Sequence, residues 1–270
     1  MKFAICNEIF QTWALEKVFA YAGKLGYDAV EIAPFTLANS VTDISATERK
    51  RLRESAERSG IQIAGIHWLL VKPEGFYINH PDPAIRHRTA EYLSQLVDFC
   101  ADLGGTRMIL GSPKQRNILP NVSFEQAWDW SLETVRQAVA RAEARQVTIC
   151  FEPLGPAETN FINTAEEAIK LVQQVASAYL KMLLDVKAMS SEAKPIPQII
   201  RESWPHFAHF HANDPNLKGP GFGKVDFKPI AAALKEVGYN GFVSVEVFNF
   251  DEGPEVIASK SLSYLKEVFA

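Results

Sequence analysis

Eight short runs rich in β-branched and aromatic residues recur along this chain, each followed by a stretch with the signals of a helix, and no other feature constrains the fold as tightly. The runs are "KFAICNEI" (2–9), "AVEIAP" (29–34), "IQIAGIHW" (61–68), "RMILGS" (107–112), "VTICFEPL" (147–154), "KMLLDV" (181–186), "FAHFHAN" (207–213) and "FVSVEVF" (242–248). Between them, Ser45, Ser123 and Thr164 each place a hydroxyl at a helix start, with Glu48, Gln126 and Glu167 three residues on; these are capping-box signals. Asp82-Pro83 offers a cap followed by proline at the first helical position. In "KLGYDAV" and "EVGYNGFVSV" a glycine stands where a helix should stop before the next strand.

Regular βα alternation calls for a parallel sheet, either doubly wound and open or closed on itself. The open form usually carries a glycine-rich loop after its first strand, and "CNEIFQTW" contains no glycine. The expectation is therefore an α/β chain folded as a single (β/α)8 TIM barrel over residues 1–270, a length that suits this fold, which commonly takes ~250 residues. No linker or low-complexity tract divides it. With 47% hydrophobic and 22% charged residues the chain can bury a large core, and no apolar run approaches the ~18 residues of a membrane span. Glu8 interrupts the N-terminus too early for a secretory apolar region, which points to the cytoplasm. A net charge of −4 supplies no basic footprint for a phosphate backbone, so the expected partner is a small molecule, with neither nucleic acid nor membrane. Cys6, Cys100 and Cys150 have no metal or disulfide spacing and read as buried thiols.

In a closed barrel the chemistry lies at the C-terminal ends of the strands. There the fifth to eighth runs carry Glu152, Asp185, His211 and Glu246, separated by 33, 26 and 35 residues, one βα unit each. Asp185 ends an apolar approach, Met182 to Leu184, where an unpaired charge is unwelcome. One divalent cation would let three carboxylates converge, and three oxygens with one imidazole suit Mn²⁺ first, with Mg²⁺, Co²⁺, Zn²⁺ or Fe²⁺ as alternatives. Lys187, two residues beyond Asp185, should share its face and could meet a substrate oxyanion or a neighbouring carboxylate. His209 would lie one layer below His211 as a hydrogen-bonded core residue. His67 ends the third run in "GIHWLL" and could touch a substrate hydroxyl or a second metal, although the fourth run ends without a partner histidine. Trp68, Trp13, Phe35 and Phe248 could provide apolar walls for a substrate site. The glycines of "GPGFGKVDF" read as an ordinary loop before a helix.

The segments "FEPLGPAETNFINT", "MLLDV", "HFHAND" and "GFGKVDFKPIAAALKEVGYNGFVSVEVF" resemble the xylose-isomerase-like TIM barrels. This family includes ketose 3-epimerases of the tagatose and psicose type, hydroxypyruvate isomerase, inosose dehydratase and endonuclease IV. The resemblance implies that Glu152, Asp185, His211 and Glu246 are the metal ligands, that Glu152 and Glu246 also move the proton, and that Glu158 contacts substrate. It further implies a homodimer or homotetramer. Two positions depart from the pattern: Ala188 stands where many members have a histidine, and "HANDPNLKGPG" offers Lys218 where an arginine often grips the substrate.

The expected function is a divalent-metal-dependent sugar isomerase or epimerase that transfers a proton between two glutamates through a metal-stabilised cis-enediolate. A lyase or dehydratase acting on a keto-sugar or inosose shares the first half of that chemistry and is the alternative. An endonuclease IV-like phosphodiesterase is a minor one, opposed by the net charge and by Ala188 and Ser112 at places where extra histidines would be wanted.

Overall fold

β-Branched, aromatic and leucine-rich runs that are hydrophobic on both faces can be covered only if a sheet is packed on both sides, and this chain achieves that by closure. In the computed structural model, which describes residues 1–270, the strands are β1 (Lys2–Cys6), β2 (Ala29–Ile32), β3 (Gln62–Ile66), β4 (Arg107–Leu110), β5 (Thr148–Phe151), β6 (Leu180–Asp185), β7 (Phe207–Ala212) and β8 (Phe242–Val245). Each pairs in parallel with the next, and β8 closes on β1 in the register Lys2–Phe242 to Ile5–Val245. The fold is thus the expected closed α/β TIM barrel.

Around it run α1 (Leu15–Leu25), α2 (Ala46–Arg58), α3 (Pro83–Asp102), α4 (Phe124–Arg145), α5 (Ala165–Val175), the single turn α6 (Val186–Met189), α7 (Ile196–Ser203), α8 (Phe227–Glu236) and α9 (Pro254–Val268). Ser123 and Thr164 form complete capping boxes, whereas Ser45 accepts the Glu48 N–H without the return bond. Asp82 accepts the Ala84 N–H ahead of Pro83. Gly26, with φ of 92°, ends α1 in the left-handed region that glycine enters without penalty. No helix is long and apolar enough to cross a membrane.

Every strand ends earlier than its apolar run suggested; the fifth, expected to reach Leu154, stops at Phe151. The apolar character persists because the residues after each strand still face the interior. Period-two alternation then builds that interior in layers. Ala4, Ala29 and Ala64 form one small buried cluster, and Ile109, Cys150 and Leu183 form another, both separate from the main core between strands and helices. Two residues beyond Ala4, Ala29, Ile109, Cys150 and Leu183 stand Cys6, Glu31, Gly111, Glu152 and Asp185. The apolar layers thus lie below, and polar groups occupy the upper interior.

Candidate active site

Glu152 and Glu246 each sit one residue past a strand, and both are held by the barrel's own ladder: the Glu152 N–H donates to the Leu110 carbonyl at 3.1 Å and the Glu246 N–H to that of Ala212 at 3.3 Å. Asp185 is the last residue of β6, and His211 lies one from the end of β7. Their ligand atoms all lie within 4.8 Å of one another, and all four residues are buried. The spacing of one βα unit per residue therefore delivers the convergence expected of it.

Asp185 has hydrogen-bond partners within the protein. Asp185 Oδ1 accepts the Ala188 N–H at 2.7 Å, capping α6, and Oδ2 accepts from the Asn213 amide at 2.5 Å. Burial first, and then the nearby Glu246 charge, push its carboxyl up to about 6. The same two causes push Glu152 well above the usual carboxylate range, and its carboxyl takes no side-chain hydrogen bond. Burial acts upward on Glu246 as well, but His211, whose Nδ1 donates to Glu246 Oε2 at 3.1 Å, outweighs it and holds the group below its ordinary value. The two glutamates are thereby driven apart in proton affinity. Gly111 is the floor against which Glu152 lies: a Cβ there would stand 2.3 Å from Glu152 Oε2.

Beneath this group lies Glu31, and beside it at the mouth stands the pair Glu8 and His67; of these and their partners only His209, His211 and His67 were singled out in the sequence. Glu31, wholly buried in β2, accepts from His209 Nε2 at 2.7 Å and from His211 Nε2 at 3.1 Å. Burial opposes its ionisation, yet His209 and His211 bring its carboxyl well below the ordinary value. Glu8 accepts from His67 Nε2 at 2.8 Å; although burial disfavours the imidazolium, the Glu8 charge and hydrogen bond raise His67 to about 9. The signal for Glu31 was present, a carboxylate inside "AVEIAP" of the same kind as Asp185. Glu8 was read as part of a strand, but Asn7–Phe10 is a 3-10 turn that brings its carboxylate over the barrel mouth. Asn213 and Arg116, whose Nη1 donates to the Glu152 carbonyl at 2.6 Å, carried no sequence signal because both act on main-chain or neighbouring polar groups.

Lys187 requires a correction. The strand ends at Asp185, so period two no longer applies; Lys187 lies in α6, its N–H donating to Asn213 Oδ1. Its Nζ nevertheless returns to the rim, 2.7 Å from Glu158 Oε1 and 4.4 Å from the Phe248 ring centre. It is the lysine paired to a neighbouring carboxylate. Lys218 is engaged away from the cluster, 2.7 Å from Glu252 Oε1. Trp13 packs on Phe10 and Tyr21. His67, Trp68, Glu158 and Phe248 line a slot of about 30 Å³ beside Glu152 and Glu246. Cys6, Cys100 and Cys150 are free and buried.

Comparison with known proteins follows the same lines. The sequence model of the xylose isomerase-like TIM barrels matches residues 19–268. The D-psicose 3-epimerase of Ruminiclostridium cellulolyticum is 31% identical over 236 residues, covering 87% of this chain and 77% of that protein. The D-psicose 3-epimerase of Agrobacterium fabrum is 27% identical over 237 residues, covering 87% and 78%. Among solved structures, D-psicose 3-epimerase with D-tagatose from Clostridium cellulolyticum H10 superposes with a TM-score of 0.89 at 25% identity, covering 100% of this chain and 99% of that one.

Proposed function

This chain belongs to the xylose isomerase-like TIM barrels, and on that footing we propose that it is a divalent-metal-dependent ketose epimerase in which two buried glutamates exchange a carbon-bound proton. It is an enzyme of the isomerase class, and its relatives are named sugar epimerases. The observation that carries the finer reading is the convergence of Glu152, Asp185, His211 and Glu246 within 4.8 Å.

The donor set fits a hard divalent ion. Three carboxylates and one imidazole are the ligands that Mn²⁺, Mg²⁺ and Co²⁺ accept, and the slot beside them is lined by neither lysine nor arginine, Lys187 being paired with Glu158 and Arg116 with the Glu152 carbonyl. His211 Nε2 is engaged by Glu31 and Nδ1 faces Glu246, itself one of the four, so Nδ1 would serve a cation that took the place of that hydrogen bond. When bound, such an ion supplies a positive centre that acidifies the C–H between a ketose carbonyl and its neighbouring hydroxyl.

The chain's own groups do the rest. Of the two glutamates, Glu152 and Glu246, one removes the proton on carbon and the other returns one to the opposite face. Glu158, fixed by Lys187, orients substrate hydroxyls, and Trp68 and Phe248 cover the slot against water. Deuterium from D₂O should appear at the epimerised carbon of a ketohexose in the presence of Mn²⁺, with no loss of water from the sugar. A dehydrated, ultraviolet-absorbing product would assign the chain to elimination instead, and no exchange with any of Mn²⁺, Mg²⁺ and Co²⁺ would remove both readings.

A further inference from the structure

Next to the 30 Å³ slot opens a second cavity of about 540 Å³, sharing Trp68 and Phe248 with it. Its walls are Phe35, Trp68, Val71, Phe248 and Phe250. Trp68 stands at the junction, edge-on to Phe35 at 6.4 Å and to Phe248 at 6.3 Å, with its own backbone in the left-handed region at φ of 55°. Cavities of ~300–1,000 Å³ accommodate ligands of drug size, well beyond what a free ketohexose with its reacting end in the slot would fill.

The lining also has a chemical character. Neither cavity is lined by a lysine or arginine; Lys187 is committed to Glu158 and Lys218 to Glu252. The single charged group facing the larger cavity is Glu8, 9% exposed, whose Oε2 takes the His67 hydrogen bond and whose Oε1 has no partner. A phosphate would meet a carboxylate and no counter-charge there. A sugar ring meets what it needs: aromatic faces for its C–H side, and the Gln11 amide and Thr36 hydroxyl for its own hydroxyls.

We propose that this vestibule is a subsite for a second, uncharged sugar ring, so that the physiological substrate is a glycosylated ketose and neither a free nor a phosphorylated one. The proposal rests on the epimerase reading of the adjoining slot, but binding can test it without turnover. Isothermal titration of the Mn²⁺-loaded enzyme would compare four ligands that cannot epimerise: a hexitol, the same hexitol carrying a glucosyl group, carrying a phenyl group, and carrying a phosphate at its far end. The glucosyl hexitol should bind at least tenfold more tightly than the free hexitol, and the phosphorylated one more weakly than either. In Phe35→Ala and Phe250→Ala the glucosyl advantage should fall toward unity, Gln11→Ala should reduce it, and Glu8→Gln should relieve the penalty on phosphate. Equal affinity for free and glucosyl hexitol, no measurable binding of either, tighter binding of the phosphate, or a phenyl group outdoing glucosyl would each overturn it. Failure of solvent exchange into ketohexoses, by contrast, would count against the epimerase reading alone.

Discussion

Two buried groups of acids and imidazoles lie one above the other in this barrel, and they differ in how their charge is met. In the lower, the carboxylate is met on both sides: Glu31 faces His209 at 2.7 Å and His211 at 3.1 Å. In the upper, Glu152, Asp185 and Glu246 converge with His211, and only Glu246 bonds to it. The consequence appears in their proton affinities, since Glu31 is held well down while Glu152 is held well up. Burial is common to both groups, so burial does not mark the proposed ligand site. Unbalanced charge does, because a buried carboxylate without a counter-charge persists only where something else arrives to neutralise it.

The largest effect should come from the upper group. Glu152→Gln and Glu246→Gln each remove one proton carrier and should lower epimerisation by ~10²–10⁴-fold, measured by deuterium exchange at the reacting carbon; a loss below tenfold in either would erase the distinction between the two groups. Gly111→Ala tests position alone: with a Cβ at 2.3 Å, Glu152 must swing away, and a displacement of about 1 Å costs ~10²-fold in rate. The thermal midpoint should hardly change, since the obstructed atoms are the far end of a side chain.

The lower group should register in affinity. Glu31→Gln leaves His211 without its carboxylate partner and should weaken Mn²⁺ binding ~10–100-fold, read by titration calorimetry, with a smaller effect on the rate at saturating metal. An unchanged affinity would make Glu31 a core residue only. The smallest effect belongs to charges outside the barrel. Asp102 meets Arg49 at 3.0 Å and Arg145 at 2.7 Å; although burial opposes it, hydrogen bonds from Arg145 and Arg49 hold it below its usual value. A carboxyl depressed in the folded state stabilises above its unfolded value, ~3.9, and loses that contribution as pH falls through the folded one. Asp102→Asn should therefore flatten the acid limb of the stability profile below about pH 4, by less than ~1 kcal/mol because the pair is partly exposed.

How far these groups could be read from sequence depends on which signal each uses. Glu152, Asp185, His211 and Glu246 announce themselves because strand ends recur once per βα unit, and the same period places Trp68 and His67 at the mouth. Lys187 shows where the period stops helping: one turn of α6 replaces the strand, and the residue reaches the rim by another route. Glu31 carried a readable signal, a carboxylate in an apolar run, but its partners His209 and His211 are 178 and 180 residues away.

Sequence by itself determined the number and order of the strands, the caps that separate them, and the ring of four acid and imidazole side chains, since periodicity and capping are short-range properties. Tertiary structure alone decided which buried charges are paired and which are left over, that Glu8 turns over the mouth, and that Trp68 divides a narrow slot from a broad vestibule. The physical reason is closure: β8 must meet β1 before residues from opposite ends of the chain can share one low-dielectric interior, and only then is there a charge balance to settle.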